Sequence, residues 1–181
     1  MWRSGNMYDK MLIFKGKHAT YMKQLAAPFS ENIKVGIFKR NLDVYLLAPI
    51  VGMAFGRQAD VDNGNEEPTR IHAEQLNGEM SNLEMNYRTI LLLHDKDKLD
   101  AETRITRAFR YDEDSEKRKE GDEIFESYVR GGIEVLHEKL IAPSSLMEDY
   151  YKNLFDFVME FEQKWKDCYS VEEISELCNG K

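Results

Sequence analysis

The chain has 181 residues and a formal net charge of −8 at neutral pH, and 42% of its residues are hydrophobic. This length suits one domain, and we expect a single helical domain over residues 1–181, with 1–35 as the least regular part. The acidic balance disfavours a protein that coats nucleic acid, because such binding depends on neutralising phosphates with cations. An acidic surface is more typical of proteins that work with protein partners.

The cysteines and the hydropathy pattern bear on the compartment. The cysteines are Cys168 and Cys178, which are too few for a disulfide framework and form no CxxC half-site. Residues 1–18 lack the uninterrupted apolar segment of a signal peptide, and residues 44–56 are too few to cross a bilayer. We therefore expect a cytoplasmic, bacterial-type protein with no membrane contact.

In chain order, residues 11–14 fit either a short strand or a first helical turn, and residues 18–27 fit a short helix ended by Pro28. Asn41 is placed to cap a helix whose residues 44–55 are apolar on all sides, which is typical of a buried helix. Pro49 should kink or divide this helix.

The middle of the chain alternates turns and shorter helices. Residues 58–68 predict a loop, 70–80 a short helix, and 81–84 a capping box that opens a helix to about residue 94. Asp100 should cap a helix over 101–111. Residues 111–121 are strongly charged, and we expect them to be exposed.

Two long amphipathic helices follow, over 122–141 and from about 143 to 166, and a short last helix is expected over 170–177. Gly131 and Gly132 lie inside the first, where each costs about 1 kcal/mol relative to alanine. We expect a close crossing with the 44–55 helix through Gly52 and Gly132, with more room at Gly131. The predicted fold class is all-α: a compact bundle of about seven helices around a buried central helix.

No pattern of residues predicts a catalytic or metal site. The four histidines lack zinc spacing, and the nucleophile and phosphate-loop motifs are missing. His94 with Asp95 and Asp97 would suit a metal cluster, but a polar helix end is the simpler interpretation, and His137 fits a solvated surface. We expect no cofactor and no catalytic residue; an enzyme with an unrecognised site is the least favoured alternative.

One cluster of cations is a candidate for contact with nucleic acid or another anion. Arg104, Arg107 and Arg110 recur at every third position of the 101–111 helix, and Lys117 and Arg118 follow. Guanidinium groups in a row suit phosphates or an acidic partner. Interleaved acids can instead neutralise them as internal ion pairs, and any binding of nucleic acid should be weak.

The last long helix carries an aromatic stripe of Tyr150, Tyr151, Phe155, Phe161 and Trp165. Most of it fits a core, but two adjacent tyrosines cannot both face inward. Candidates for the seam of a homodimer are therefore Tyr150, Tyr151, Phe161 and Trp165.

Two segments carry a resemblance to a known family. The first runs Gly36-Ile37-Phe38-Lys39, then Asp43-Val44-Tyr45-Leu46-Leu47-Ala48, then Gly52 and Gly56-Arg57; the second is Ile124-Phe125-Glu126-Ser127-Tyr128-Val129-Arg130-Gly131-Gly132-Ile133-Glu134. Together they resemble the DNA phosphorothioation-associated (Dnd system-associated) protein 4 family over roughly residues 36–140. The helix after Pro143 looks like an addition to that family's pattern.

The resemblance implies a non-enzymatic accessory protein of a bacterial DNA-modification or anti-phage system. Such a protein would work through protein partners, such as components of a DNA-modification or defence complex, and no catalytic residues transfer from the family. The alternative is a nucleic-acid-binding or regulatory helical module that uses Arg104, Arg107 and Arg110.

Overall fold

The computed structural model describes residues 11–29, 36–111, 114–143 and 146–168, without the side chains of residues 115, 147, 165, 167 and 168. These residues form a compact helical fold with a two-stranded sheet, which confirms the expected fold class. The elements are β1 (Leu12–Phe14), α1 (Gly16–Leu25), α2 (Asn41–Ala54), β2 (Thr69–Ile71), α3 (Ala73–Gly78), α4 (Met80–Leu93), α5 (Ala101–Phe109), α6 (Ser115–Leu140) and α7 (Met147–Cys168). The helix expected over 170–177 lies outside the described residues.

The small sheet joins the beginning of the described chain to its middle. Strands β1 and β2 are antiparallel, with Leu12 opposite Ile71 and Phe14 opposite Thr69. The Thr69 hydroxyl donates a 2.9 Å hydrogen bond to the Ala19 carbonyl, which fastens β2 to α1. The segment expected as a strand or a helical turn is thus a strand over residues 12–14. Strand β2 is too short to show the alternation from which a strand is predicted.

Helix α2 is largely buried and packs along α6. Its core residues include Val44, Tyr45 and Val51, each fully buried. Pro49 lies inside the helix, which continues through it and is not divided. The N-cap is Arg40 and not Asn41: the Arg40 backbone N–H donates to the Asp43 carboxylate at 2.9 Å. The core therefore centres on the pair of α2 and α6.

The backbones of α2 and α6 touch where both carry glycine. A Cβ on Gly132 would lie 1.8 Å from the Ala48 carbonyl oxygen, and one on Gly52 would lie 2.2 Å from the Tyr128 carbonyl oxygen. A Cβ on Gly131 would lie 2.1 Å from the carbonyl oxygen of Arg57, where the chain leaves α2. The expectation of more room at Gly131 is therefore wrong, because a different stretch of backbone covers it.

Helix α6 begins earlier than its apolar pattern predicts. Asp114 caps it by accepting hydrogen bonds from the backbone N–H groups of Glu116 and Lys117, each at 3.2 Å. The expectation that residues 111–121 are all exposed is wrong for Arg118, which is only 8% exposed, and for Gly121. Both face α4: the Arg118 guanidinium lies 5.8 Å from the centre of the Tyr87 ring.

One side of helix α7 packs on the α2–α6 pair. Phe157 is buried, and its ring stacks on that of Phe55 with the centroids 6.0 Å apart. Lys139 on α6 donates to Glu160 on α7 at 2.8 Å. These contacts fasten α7 to the end of α2 and to α6. Within the described residues, no helix is both long and apolar enough to span a membrane.

Candidate functional site

The arginines of α5 are engaged within the chain. Arg104 donates to the Leu92 carbonyl at 2.8 Å. Arg107 lies 3.7 Å from the Glu120 carboxylate, and Arg110 lies 2.5 Å from the Glu102 carboxylate. The side chain of Arg107 is 13% exposed, whereas that of Arg110 is 59% exposed. The three guanidinium groups therefore do not form one open cationic surface.

Lys117 and Arg118 do not extend that surface. The Lys117 ammonium lies 3.4 Å from the Asp114 carboxylate and 5.0 Å from the centre of the Tyr111 ring. Arg118 is buried beside Asp122, at 3.6 Å. Burial raises the pKa of Asp122 more than the neighbouring Arg118 lowers it. Both cations thus form ion pairs within the first turns of α6.

A polar cluster lies where α1, α6 and the chain after α2 meet. The Glu134 carboxylate accepts from Lys17 Nζ at 2.9 Å and His18 Nε2 at 3.0 Å, and Arg57 Nη1 lies 3.5 Å away. His18 is 1% exposed and Glu134 is 8% exposed. Local motifs did not predict this cluster, because His18 and Glu134 are 116 positions apart.

The pKa shifts define the charge state of the cluster. Burial lowers the pKa of His18 and outweighs the effect of Glu134, so the imidazole is neutral at pH 7 and donates its Nε2–H. Burial acts to raise the pKa of Glu134, but the hydrogen bonds from Lys17 and His18 outweigh it, and the net pKa lies below its ordinary value. An ionised, fully engaged carboxylate is suited to holding three segments together and is a poor general acid or base.

An open groove of about 670 Å³ adjoins the cluster and is lined by Lys17, Arg57, Gln58, Ala59, Asp60, Val61, Asp62, Ser127 and Glu134. Its wall is pinned to α6, because the Ala59 carbonyl accepts from Arg130 Nε at 2.8 Å and its N–H donates to the Ser127 carbonyl at 3.0 Å. The groove carries charges of both signs, which selects no single class of ligand. Among the described residues, no three His, Cys, Asp or Glu side chains converge as a metal site requires.

His94 and His137, the two histidines discussed from the sequence, also have partners in the chain. His94 Nδ1 lies 3.1 Å from the Tyr128 hydroxyl, and its Nε2 lies 3.3 Å from Asp95. His137 stacks on Tyr21 with the ring centroids 3.8 Å apart, and its Nε2 is 2.6 Å from the amide oxygen of Gln24. His137 is thus half-buried and packs against α1, whereas a solvated surface position was expected.

Of the four aromatic residues considered for a dimer seam, the three whose side chains are described do not share one surface. Tyr150 is half-buried with its ring 4.9 Å from that of Phe29, and Phe161 is half-buried 6.0 Å from Phe157. Tyr151 is exposed, and the side chain of Trp165 lies outside the described residues. Tyr150 and Phe161 lie on the packed side of α7, because they are about three helical turns apart and contact Phe29 and Phe157.

A different set of apolar side chains faces solvent along α7. It includes Phe155, so the expectation that Phe155 belongs to the core is wrong. Their exposed fractions are Tyr151 60%, Leu154 38%, Phe155 66%, Val158 52% and Met159 51%. They recur at intervals of three and four residues, so they form one continuous surface, called here the α7 apolar face. A contiguous apolar patch of this kind marks a contact site more often than scattered exposed residues do.

The comparisons with known proteins agree with the resemblance seen in the two glycine-containing segments. The family model for DNA sulphur modification system-associated protein 4 matches residues 16–173. No curated protein and no solved structure matches the chain. The family match begins at α1 and includes α7, so the helix after Pro143 is part of the family pattern and not an addition. The chain belongs to the DNA sulphur modification system-associated protein 4 family.

Proposed function

We propose that this protein is an accessory component of a DNA sulphur modification system and that it acts through protein–protein contacts at the α7 apolar face. Family membership supports the association with such a system. The exposure of Tyr151, Phe155, Val158 and Met159 supports the mode of action. We place this role in the bacterial cytoplasm, in a locus that modifies DNA or defends against phage.

The energetics favour burial of this face. Covering apolar surface contributes roughly 25 cal/mol for each Å² removed from water, and Phe155 alone is 66% exposed. Because Phe157 and Glu160 anchor the opposite side of α7, a partner meets a surface that is already ordered. Little conformational entropy is then lost when it binds.

The other two candidate sites, the α5 arginines and the Glu134 cluster, are less suited to binding a partner than the α7 apolar face is. The α5 arginines contact acceptors inside the chain, which disfavours the alternative of a nucleic-acid-binding module. Glu134 is ionised and engaged with Lys17 and His18, which disfavours an enzyme centred on that cluster. The α7 apolar face, by comparison, is oriented away from the body of the protein.

Deletion of the gene from a host that carries the system tests the proposal. Complementation with wild-type protein should restore the sulphur content of the DNA, measured by mass spectrometry of digested DNA. The Phe155→Asp variant should fail to restore it at equal protein level. Met85→Asp is the matched control, because Met85 is 62% exposed on α4, and it should behave as wild type. A sulphur content that is the same with and without the gene would contradict the accessory role.

A further inference from the structure

A second pattern overlies the α7 apolar face. Six exposed positions follow one another at spacings of four, three, four, three and four residues: Glu148, Lys152, Phe155, Met159, Glu162 and Lys166. This alternation is the heptad spacing with which two helices pack side by side along a seam. The six residues are called here the α7 seam. It spans about 27 Å at 1.5 Å per residue.

The α7 seam is complementary to itself when one copy runs in the opposite direction: each charged residue then meets one of opposite charge, and each apolar residue meets an apolar one. From its beginning to its end the seam is negative, positive, apolar, apolar, negative and positive. The series of spacings is also the same in both directions. Two antiparallel copies therefore bring Glu148 opposite Lys166, Lys152 opposite Glu162, and Phe155 opposite Met159, each pair occurring twice.

We infer that the partner at the α7 seam is a second copy of this chain, bound antiparallel about a two-fold axis near residue 157. A two-fold interface requires a surface that is complementary to itself, and this seam is. Parallel packing would instead set Glu148 against Glu148 and Lys152 against Lys152. This inference rests on the proposed function, since it names the partner at the same surface.

The surroundings of the seam fit this arrangement. Tyr151 and Val158 border Phe155 and Met159 on one side and widen the apolar contact. Lys166 already donates to Glu162 within the helix at 2.6 Å, so the second copy completes a network of four charges at each end. Networks of this kind determine the orientation of paired helices, while the apolar centre supplies most of the affinity.

Sedimentation-equilibrium measurements on the full chain test the inference. The wild type should be a concentration-dependent dimer. Phe155→Asp should weaken the dimer by at least about 100-fold, because a carboxylate then meets Met159 twice in the apolar centre. Met85→Asp should leave it unchanged, and circular dichroism of each variant checks that the helices remain. A wild type that stays monomeric at 100 µM would overturn the inference.

Exchange of charges distinguishes this register from others. Lys152→Glu places two glutamates opposite each other at both ends, and Glu162→Lys places two lysines there, so each single variant should weaken the dimer by about fivefold or more. The double variant Lys152→Glu/Glu162→Lys should restore most of the affinity. A double variant weaker than both single variants would overturn the antiparallel pairing.

Two further outcomes separate the inference from the proposed function. If the wild type is monomeric but Phe155→Asp still abolishes restoration of DNA sulphur, the partner is another protein: the inference fails and the proposed function stands. If deletion of residues 169–181 turns a monomer into a dimer, the chain's own end occupies the seam. That result overturns the inference for the full chain.

Discussion

His18 and Glu134 form a buried hydrogen bond of 3.0 Å between α1 and α6, although 116 positions separate them in the chain. Lys17 and Arg57 reach the same carboxylate from α1 and from the chain after α2. One side chain thus ties together three segments that are distant in sequence. The cluster stabilises the wall of the groove and holds the α2–α6 pair against α1.

Replacement of Glu134 by glutamine should therefore destabilise the protein. The amide keeps the volume but removes the charge that Lys17 and Arg57 contact, and it weakens the acceptor for His18. We expect the free energy of unfolding to fall by roughly 1–3 kcal/mol, as for a buried charged hydrogen bond. Urea denaturation gives this value. Glu138→Gln, which alters a more exposed partner of Arg57, is the control and should change it little; equal effects would contradict the special role of Glu134.

Stability should decline as the solution becomes acidic. The folded pKa of His18 lies below its unfolded value, so the unfolded chain takes up the proton first and stability falls as pH drops below about 6.5. The folded pKa of Glu134 is also lowered, which adds a loss at lower pH, below the unfolded pKa of a glutamate. Melting temperatures between pH 8 and pH 5 measure the first effect. His18→Gln should lower stability at pH 8 but flatten its decline toward pH 5; an unchanged slope would show that His18 does not titrate on unfolding.

Alanine at Gly132, at the crossing of α2 and α6, or at Gly131, against the chain after α2, should destabilise the fold. At Gly132 and Gly131 the new Cβ would lie 1.8 Å and 2.1 Å from backbone oxygens, which a rotamer change cannot relieve. Overpacking costs typically 1–3 kcal/mol, which exceeds the roughly 1 kcal/mol gained in helix propensity. Gly78→Ala is the control, because a Cβ there meets no atom within 4 Å. Thermal unfolding should show lower melting temperatures for the first two variants only; a rise for Gly132→Ala would disprove the close crossing.

The α5 arginines should matter more for stability than for nucleic acid. Arg104→Ala removes the hydrogen bond to the Leu92 carbonyl between α5 and the end of α4, and it should cost about 1 kcal/mol. Fluorescence anisotropy with labelled DNA at low salt should show only weak binding. The triple variant with alanine at residues 104, 107 and 110 should leave that weak binding nearly unchanged. Tight, salt-sensitive binding that this variant abolishes would restore the nucleic-acid alternative.

Sequence patterns predicted the parts of the fold that depend on local periodicity. The apolar residues of α2 indicated its burial, and the glycines at 52, 131 and 132 pointed to two helices in close approach. The start of α6 was missed because its first turns are charged, and only the tertiary position of Tyr87 explains why Arg118 is buried. Strand β2 was missed because three residues carry too little pattern.

The same distinction holds for the candidate sites: residues with a local pattern could be predicted, and contacts made only in the tertiary structure could not. The α7 apolar face has a helical period and was partly anticipated at Tyr151, but which side of the helix packs inward depends on Phe55 and Phe157. The Glu134 cluster has no local signal, since its members come from three elements. The pattern of arginines on α5 was visible, whereas the Leu92 carbonyl that accepts from Arg104 was not.

The sulphur content of DNA in a gene-deleted host, complemented in turn with three charge variants, tests the central role of α7 most directly. Recovery with a compensating second change, at equal protein level and helix content, indicates that the two positions meet across a contact. We predict low sulphur with Lys152→Glu, low sulphur with Glu162→Lys, and recovery with both together at equal protein levels. Wild-type sulphur content with both single variants and with Phe155→Asp would contradict the claim that the protein acts through this face.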